Sequence, residues 1–137
     1  MAKKFFNYRL EGIAKRPVIA IKLLNMRDEA SNWDGLLDSG ADNIVIPSNI
    51  AKAAGIAISG EEQQSTGACG KNCLSYYAAT AFIEILDKKI PCIVHILHEK
   101  HGGNDEKEDR ILLGRQGIFD SHRITFNKEG VEIESTD

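Results

Sequence analysis

The sequence predicts an all-β protein, a closed or folded barrel with one or two short helices, and three observations predict it. β-Branched and other apolar residues alternate with polar ones at period two through most of the chain. Gly, Pro, Asn and Asp punctuate these runs often enough to cut them into many short strands. Only Ile50-Ala51-Lys52-Ala53-Ala54 combines helix-favouring alanines with start and stop signals on either side.

Taken in order, Phe6, Tyr8 and Leu10 alternate with polar neighbours and predict a first strand ending near Gly12. After Arg16-Pro17, residues 18–24 form a near-continuous apolar run suited to a strand buried on both faces. Residues 26–32 are polar and read as a loop, and residues 33–38 read as a strand that ends in an acid, Asp38. Ile44-Val45-Ile46 predicts another buried strand, broken by Pro47; Ser48 is the expected N-cap of the helix and Gly55 its stop. Residues 61–86 fit a long hairpin with its turn around 67–72 and a returning strand from Tyr76 to Ile85. Asp87-Lys88-Lys89 should turn the chain into a strand over 90–97, while 101–109, rich in glycine and charge, reads as a solvent loop. Ile111-Leu112-Leu113 predicts a short buried strand and residues 115–119 a helical turn. A closing hairpin follows: Arg123-Ile124-Thr125-Phe126 and Val131-Glu132-Ile133 flank a turn whose Gly130 is expected at positive φ.

With 137 residues and neither an internal repeat nor a low-complexity stretch, the chain reads as a single domain over 1–137. Its 42% hydrophobic and 27% charged residues are those of an ordinary globular protein. A formal net charge of −3 gives no electrostatic reason to expect nucleic-acid or membrane-surface partners. No run approaches the length of a membrane span, and the apolar stretch after Lys3-Lys4 is too short for a signal peptide, so a cytoplasmic location is expected. Three cysteines, Cys69, Cys73 and Cys92, are then expected as free thiols; the alternative is a redox-sensitive bridge between Cys69 and Cys73 across the hairpin turn.

The chemistry concentrates in Asp38-Ser39-Gly40-Ala41, preceded by Leu36-Leu37 and echoed by Ile111-Leu112-Leu113-Gly114-Arg115. A carboxylate delivered at the end of a buried strand suits general acid–base work on water. Activating water against a peptide carbonyl takes two carboxyl groups sharing one proton, because adjacent carboxylates cannot both ionise. The chain carries one Asp-Ser-Gly: Ser59-Gly60, Ser65-Thr66-Gly67 and Asp120-Ser121-His122 each lack a needed piece. Such a site requires a twofold homodimer with the two acids on its axis.

The order Arg16-Pro17, apolar strand, Leu37-Asp38-Ser39-Gly40-Ala41-Asp42, glycine-bearing hairpin and Leu113-Gly114-Arg115 resembles the retropepsins, the single-lobe aspartic proteases, over residues 16–127. The resemblance implies an acid-protease barrel and an aspartic endopeptidase with no metal or other cofactor. It makes Asp38 the catalytic acid and base, Ser39 the hydroxyl that ties two catalytic loops across the dimer axis, and Gly40 the position where substrate backbone passes closely. Ala41 and Asp42 would line the substrate path, with Asp42 also pairing with Arg115, and Arg16 would reach toward the partner. Gly67 and Gly70 would be the soft points of a hairpin that closes over an extended peptide. A helix directly after the catalytic turn, and chain beyond Phe126, are more similar to cellular and bacterial members than to the minimal viral enzymes.

Plainer readings stand beside these. Asp-Ser-Gly also occurs as an ordinary strand-capping turn, and Arg115 as a solvated surface arginine. The same fold without catalysis would be a dimerisation or peptide-binding module. Cys92, His95, His98 and His101 are ligand types at close spacing, but on a strand positions three apart face opposite sides, so no metal site is expected. Tyr76, Tyr77 and Trp33 are expected to pack.

Overall fold

In a computed structural model, the described residues, 2–58, 63–65, 74–97 and 110–136, form twelve strands and one α-helix. In chain order these are β1 (Lys3–Asn7), β2 (Arg9–Glu11), β3 (Ala14–Arg16), β4 (Val18–Leu24), β5 (Ala30–Leu37) and β6 (Ile44–Ile46). Then come α1 (Ser48–Ala54), β7 (Gln63–Ser65), β8 (Leu74–Ile85), β9 (Lys88–Leu97), β10 (Ile111–Leu113), β11 (His122–Phe126) and β12 (Gly130–Ser135).

Six strands hydrogen-bond in the order β4-β5-β10-β6-β9-β8, and β4 pairs again with β8, which closes the ring. The expected all-β barrel is therefore present. Closure removes the open edges that a flat sheet of this size would offer to other chains. Two of the junctions are parallel, β10 with β5 and β6 with β9, so the strands that meet around Asp38 come from segments far apart in sequence. Side chains from alternate positions fill the interior: Ile19, Leu23, Ile44, Ile46, Ile83, Val94, Ile96, Ile111 and Leu113 are all essentially inaccessible. Each stabilises the fold by about 1.5–3 kcal/mol relative to exposure. A separate three-stranded sheet, β1-β12-β11, joins the two ends of the described chain, and β2 with β3 makes a small hairpin around Gly12.

Helix α1 buries Ile50, Ala51 and Ala54 and stops where expected. Gly55 takes φ 73°, ψ 28°, its N–H reaching the Lys52 carbonyl (3.1 Å) while Ile56 N–H reaches Ala51 (2.9 Å). That paired arrangement satisfies carbonyls the helix would leave open. Asn25, 3% exposed, then ties this helix end to the β4–β5 turn. Its Nδ2 donates to Ala54 O (3.1 Å) and Glu29 Oε1 (3.0 Å), and its Oδ1 accepts from the Arg27 and Glu29 amides (2.9 and 3.0 Å).

Several local expectations are corrected. The first strand is split, with β1 ending at Asn7 and a separate hairpin following. Strand β4 is not buried on both faces: Ala20 and Lys22 point outward, and Lys22 lies 3.8 Å from Glu84 on the neighbouring strand. Residues 30–32, expected in a loop, already belong to β5, because a strand with one wet face carries polar residues at alternate positions. Ser48 is inside the helix and buried; Pro47, whose fixed φ suits a helix entrance, occupies the cap without a side-chain bond. The β8–β9 turn is Leu86-Asp87, both at positive φ (56° and 60°), the geometry that matches strand twist in a two-residue hairpin. Gly130 is not at positive φ; its constraint is crowding, since a Cβ there would sit 2.2 Å from the Phe6 carbonyl oxygen.

Candidate active site

Asp38 follows directly on β5, whose last residue, Leu37, is 4% exposed. Backbone bonds fix its position from three sides. Leu37 N–H donates to Pro17 O (3.0 Å), Asp38 N–H to Leu113 O (3.0 Å), and Ala41 N–H to Asp38 O (3.1 Å), closing a tight turn. Within that turn the Gly40 amide donates to Asp38 Oδ1 at 2.9 Å. The side chain is thus oriented by its own loop, as aspartate often is where it starts a turn. Asp38 is half-buried, whereas Ser39 and Gly40 are exposed, so the carboxyl group stands at a surface.

The C-terminal echo motif packs against this turn. At Gly114 the backbone is extended (φ −91°, ψ −167°), and an added Cβ would lie 2.3 Å from Asn43 O and 2.7 Å from Ala41 O. Glycine is needed there for close approach of two backbones, not for torsional freedom. Immediately beyond it, Arg115 N–H donates to Ala41 O and Gln116 N–H to Asp42 O, each at 2.9 Å. Arg115 also donates from its guanidinium to Asp42 Oδ1. Both side chains are well exposed, so this pair contributes little to stability by itself and serves to orient the Asp42 carboxylate. A helical turn, Arg115–Phe119, follows and is interrupted at Gln116 and Gly117 (φ 87°).

Arg16 ends β3, one residue before Pro17, and its Nε lies 3.9 Å from Glu11 Oε1. Glu11 is held mainly by Arg110 (2.6 Å), whose hydrogen bond keeps the Glu11 carboxyl below the usual carboxylate range. Arg16 therefore belongs to the hairpin that precedes β4, in a small Glu11-Arg16-Arg110 cluster. Gly67, Gly70, Cys69, Cys73, His98 and His101 lie outside the described residues. The ligand types that are described diverge: Cys92 is buried, with its thiol pushed up to about 11 by desolvation, whereas His95 lies on the opposite face of β9. Among the described residues no three His, Cys, Asp or Glu cluster as metal ligands. Trp33 packs against the core on the same side of β5 as Leu37, its Nε1 donating to Ser31 Oγ (2.7 Å).

Sequence reading missed the cleft beside the turn. About 460 Å³ in volume, it is lined by Ala41, Asp42 and Asn43 and by Val45, Leu112, Tyr76 and His95 among others. Register explains its lining. Leu112 pairs with Val45, Val45 with His95 and His95 with Ala78, so one row of outward positions crosses β10, β6, β9 and β8. The row is half-buried, and the Tyr76 and His95 rings stack across it, centroids 4.1 Å apart and 15° from parallel. A signal was present in the sequence: Leu97, which lines the cleft, alternates with core residues of β9 where a barrel exterior would ordinarily be polar.

Chemically, the turn offers one half-buried carboxylate per chain. The other carboxylate of the same turn, Asp42, is engaged by Arg115. A site of two carboxyl groups sharing one proton needs a second acid close to Asp38.

No protein-family profile and no curated protein matches the chain. Among solved structures it is similar to a retropepsin-like aspartic protease from Rickettsia conorii, at TM-score 0.63 and 14% identity, over 97% of this chain and 90% of that one. It is also similar to the EIAV protease complexed with the inhibitor HBY-793, at TM-score 0.53 and 19% identity, over 82% of this chain and 93% of that one. These likenesses show the fold: a retropepsin-like barrel, as the motifs implied. The bacterial structure matches more of the chain than the viral one does, in keeping with the helix after the Asp38 turn and the strand beyond Phe126.

Proposed function

We propose that this retropepsin-like barrel is one half of an aspartic endopeptidase, completed by a second copy of the chain. The observation that carries the reading is the placement of Asp38: a loop-oriented, half-buried carboxylate at a barrel end, with the only other acid of its turn tied to Arg115. Two such turns facing each other bring two carboxyls together to share a proton. The ionised Asp38 takes a proton from water as that water attacks the peptide carbonyl carbon, while the protonated Asp38 gives its proton to the carbonyl oxygen. Collapse of the resulting diol breaks the C–N bond, with a proton delivered to the leaving nitrogen.

The remaining residues support this step in the same reading. Ser39 joins the two turns across the axis, Gly40 leaves room for the substrate backbone, and Ala41 and Asp42 flank it. Arg115 orients Asp42, Arg16 faces the partner, and Gly67 and Gly70 allow the hairpin to close. The substrate is an extended peptide or protein segment, the step needs no metal or other cofactor, and the setting is cytoplasmic. No helix among the described residues is long and apolar enough to cross a membrane.

Two measurements on the full chain test the reading. Asp38→Asn should lower peptide cleavage by about 10²–10⁴-fold, the usual worth of acid–base catalysis, with the fold intact by circular dichroism. Assembly followed by sedimentation should show a dimer whose fraction tracks cleavage rate across concentration. A wild-type protein that cleaves nothing in a diverse peptide pool from acid to neutral pH leaves the noncatalytic peptide-binding module as the better account.

A further inference from the structure

We propose that the open edge of β1, with the groove beneath it, is a docking site for an extended acidic peptide segment, taken up as a fourth strand of the β1-β12-β11 sheet. This goes beyond the endopeptidase reading and does not depend on it. The groove lies on the flank of the barrel at Asn32, six residues and so about 20 Å along β5 from Asp38.

Backbone alternation defines the edge. Ser135 N–H donates to Ala2 O (3.0 Å) and Tyr8 N–H to Glu129 O (3.2 Å), and between them Lys4 faces Ile133 and Phe6 faces Val131. Bonded and non-bonded pairs alternate along an antiparallel ladder, so residues 2, 4, 6 and 8 direct their main-chain groups to β12 while Lys3, Phe5 and Asn7 turn theirs the other way. Among the described residues nothing bonds to those outward N–H and C=O groups. The barrel strands escape such exposure through closure, and β1 has neither a proline nor a bulge to blunt it.

The groove, about 480 Å³ in volume, has two walls of different character. On one side stand Lys4 and Phe6, on the face of the sheet that carries the buried Val131 and Ile133. On the other is an outward row of the barrel, Asn32, Lys22 and Glu84, directly paired across β5, β4 and β8, with Ala20 beside it. A strand laid along β1 turns alternate side chains down onto this row and the rest out to water.

Charge selects the occupant. Of the lysines that line the groove, Lys3 is 3.5 Å from Glu132 and Lys22 is 3.8 Å from Glu84. Lys4 meets no described carboxylate; its ammonium stands 5.0 Å from the centroid of the Phe6 ring. The acids of the lining are Glu84, which faces Lys22, and Asp87, at the β8–β9 turn. An incoming glutamate or aspartate therefore finds Lys4 unclaimed, in a partly sheltered groove where an ion pair is stronger than at open surface. A second copy pairing along its own β1 would instead crowd two Lys3 and two Lys4 side chains into one short ladder, where like charges oppose association.

The test uses the full chain carrying Asp38→Asn, so that no probe is cut, and blocked seven-residue peptides alternating valine with glutamate, glutamine or lysine. Hydrogen exchange followed by NMR reads the edge residue by residue. Without peptide, the Lys3, Phe5 and Asn7 amides should exchange rapidly and those of Lys4 and Phe6 slowly. With saturating glutamate peptide, the first three should slow by about tenfold or more. Adding Lys4→Glu, a change at an exposed side chain, should weaken the glutamate peptide by about tenfold and make the lysine peptide the tighter of the two. No slowing with the glutamate peptide, equal binding of the glutamine peptide, or slowing confined to the 38–43 turn would each overturn the proposal. Slowing at Lys3, Phe5 and Asn7 that needs no peptide and rises with protein concentration would assign the edge to a second copy and overturn it too. None of these readouts involves cleavage, so their failure is distinct from failure of the endopeptidase reading.

Discussion

Replacing Gly114 by alanine tests the claim that the Asp38 turn is positioned by a backbone-on-backbone contact with the C-terminal motif. The residue's extended torsions are open to any amino acid, so the substitution adds no torsional strain and its cost is steric. The new Cβ would stand 2.3 Å from Asn43 O and 2.7 Å from Ala41 O, well inside contact distance, and both obstacles are backbone. Relief requires the end of β10 and the 41–43 turn to separate by about 1 Å. Overpacking of this kind costs about 1–3 kcal/mol. Separation also strains the two 2.9 Å bonds from Arg115 and Gln116 to the turn, each contributing about 1 kcal/mol. Because the terms share one displacement they do not simply add, and a total of about 3–4 kcal/mol is expected. Urea unfolding at one fixed protein concentration reads this without interference from association. Gly40→Ala is the control: its Cβ meets only the Asp38 carboxylate oxygen, at 3.2 Å, so its stability loss should be much smaller. A Gly114→Ala protein within about 0.5 kcal/mol of wild type would refute the argument, since surface-like tolerance is incompatible with a sub-contact approach to two carbonyls.

Other consequences follow from buried groups. Asn25→Ala removes four hydrogen bonds and leaves the Ala54 carbonyl without that donor, so it should destabilise by about 2–4 kcal/mol in the same urea assay, and Asn25→Asp should not rescue it because Nδ2 is lost. Cys92, whose thiol is raised to about 11, stays protonated in the native state at pH 9 while an unfolded chain's thiol is largely ionised. The folded form then binds the extra proton, so this group's stability contribution is full below the ordinary thiol range and is lost as pH rises toward 11. Residue-resolved mass spectrometry should find Cys92 alkylated by iodoacetamide at pH 9 only as fast as the protein unfolds. Rapid labelling in native buffer would mean the thiol is not buried as described.

What was legible in the sequence is what short-range chemistry dictates. Asp38-Ser39-Gly40 and Leu113-Gly114-Arg115 could be found because a loop-held carboxylate and a close backbone contact each demand particular residues in a row. Helix α1 announced its stop because Gly55 alone tolerates the left-handed torsions there. Illegible features depend on neighbours distant in the chain. Lys22 looked like an interruption of a buried strand, yet it marks the wet face of the barrel opposite Glu84. Gly130 looked like a turn glycine, and only its packing against Phe6 reveals why a side chain is forbidden. The Tyr76–His95 stack exists only once β8 and β9 are paired with Ala78 facing His95, a register that composition does not encode. Pairing of β4 with β8, which closes the barrel, is likewise set by residues some sixty positions apart, such as Leu24 with Phe82.

Strand β1 is zipped along β12 over five paired positions, from Lys3 opposite Glu134 to Asn7 opposite Gly130. Under the homodimer reading, neither β1 nor β12 has to be lent to a mate, since each already pairs with the other. Pairing of two copies would then be a separate, dilution-sensitive event. Activity would then answer to how much of the protein a cell holds at any moment, a control that requires no inhibitor and no covalent mark.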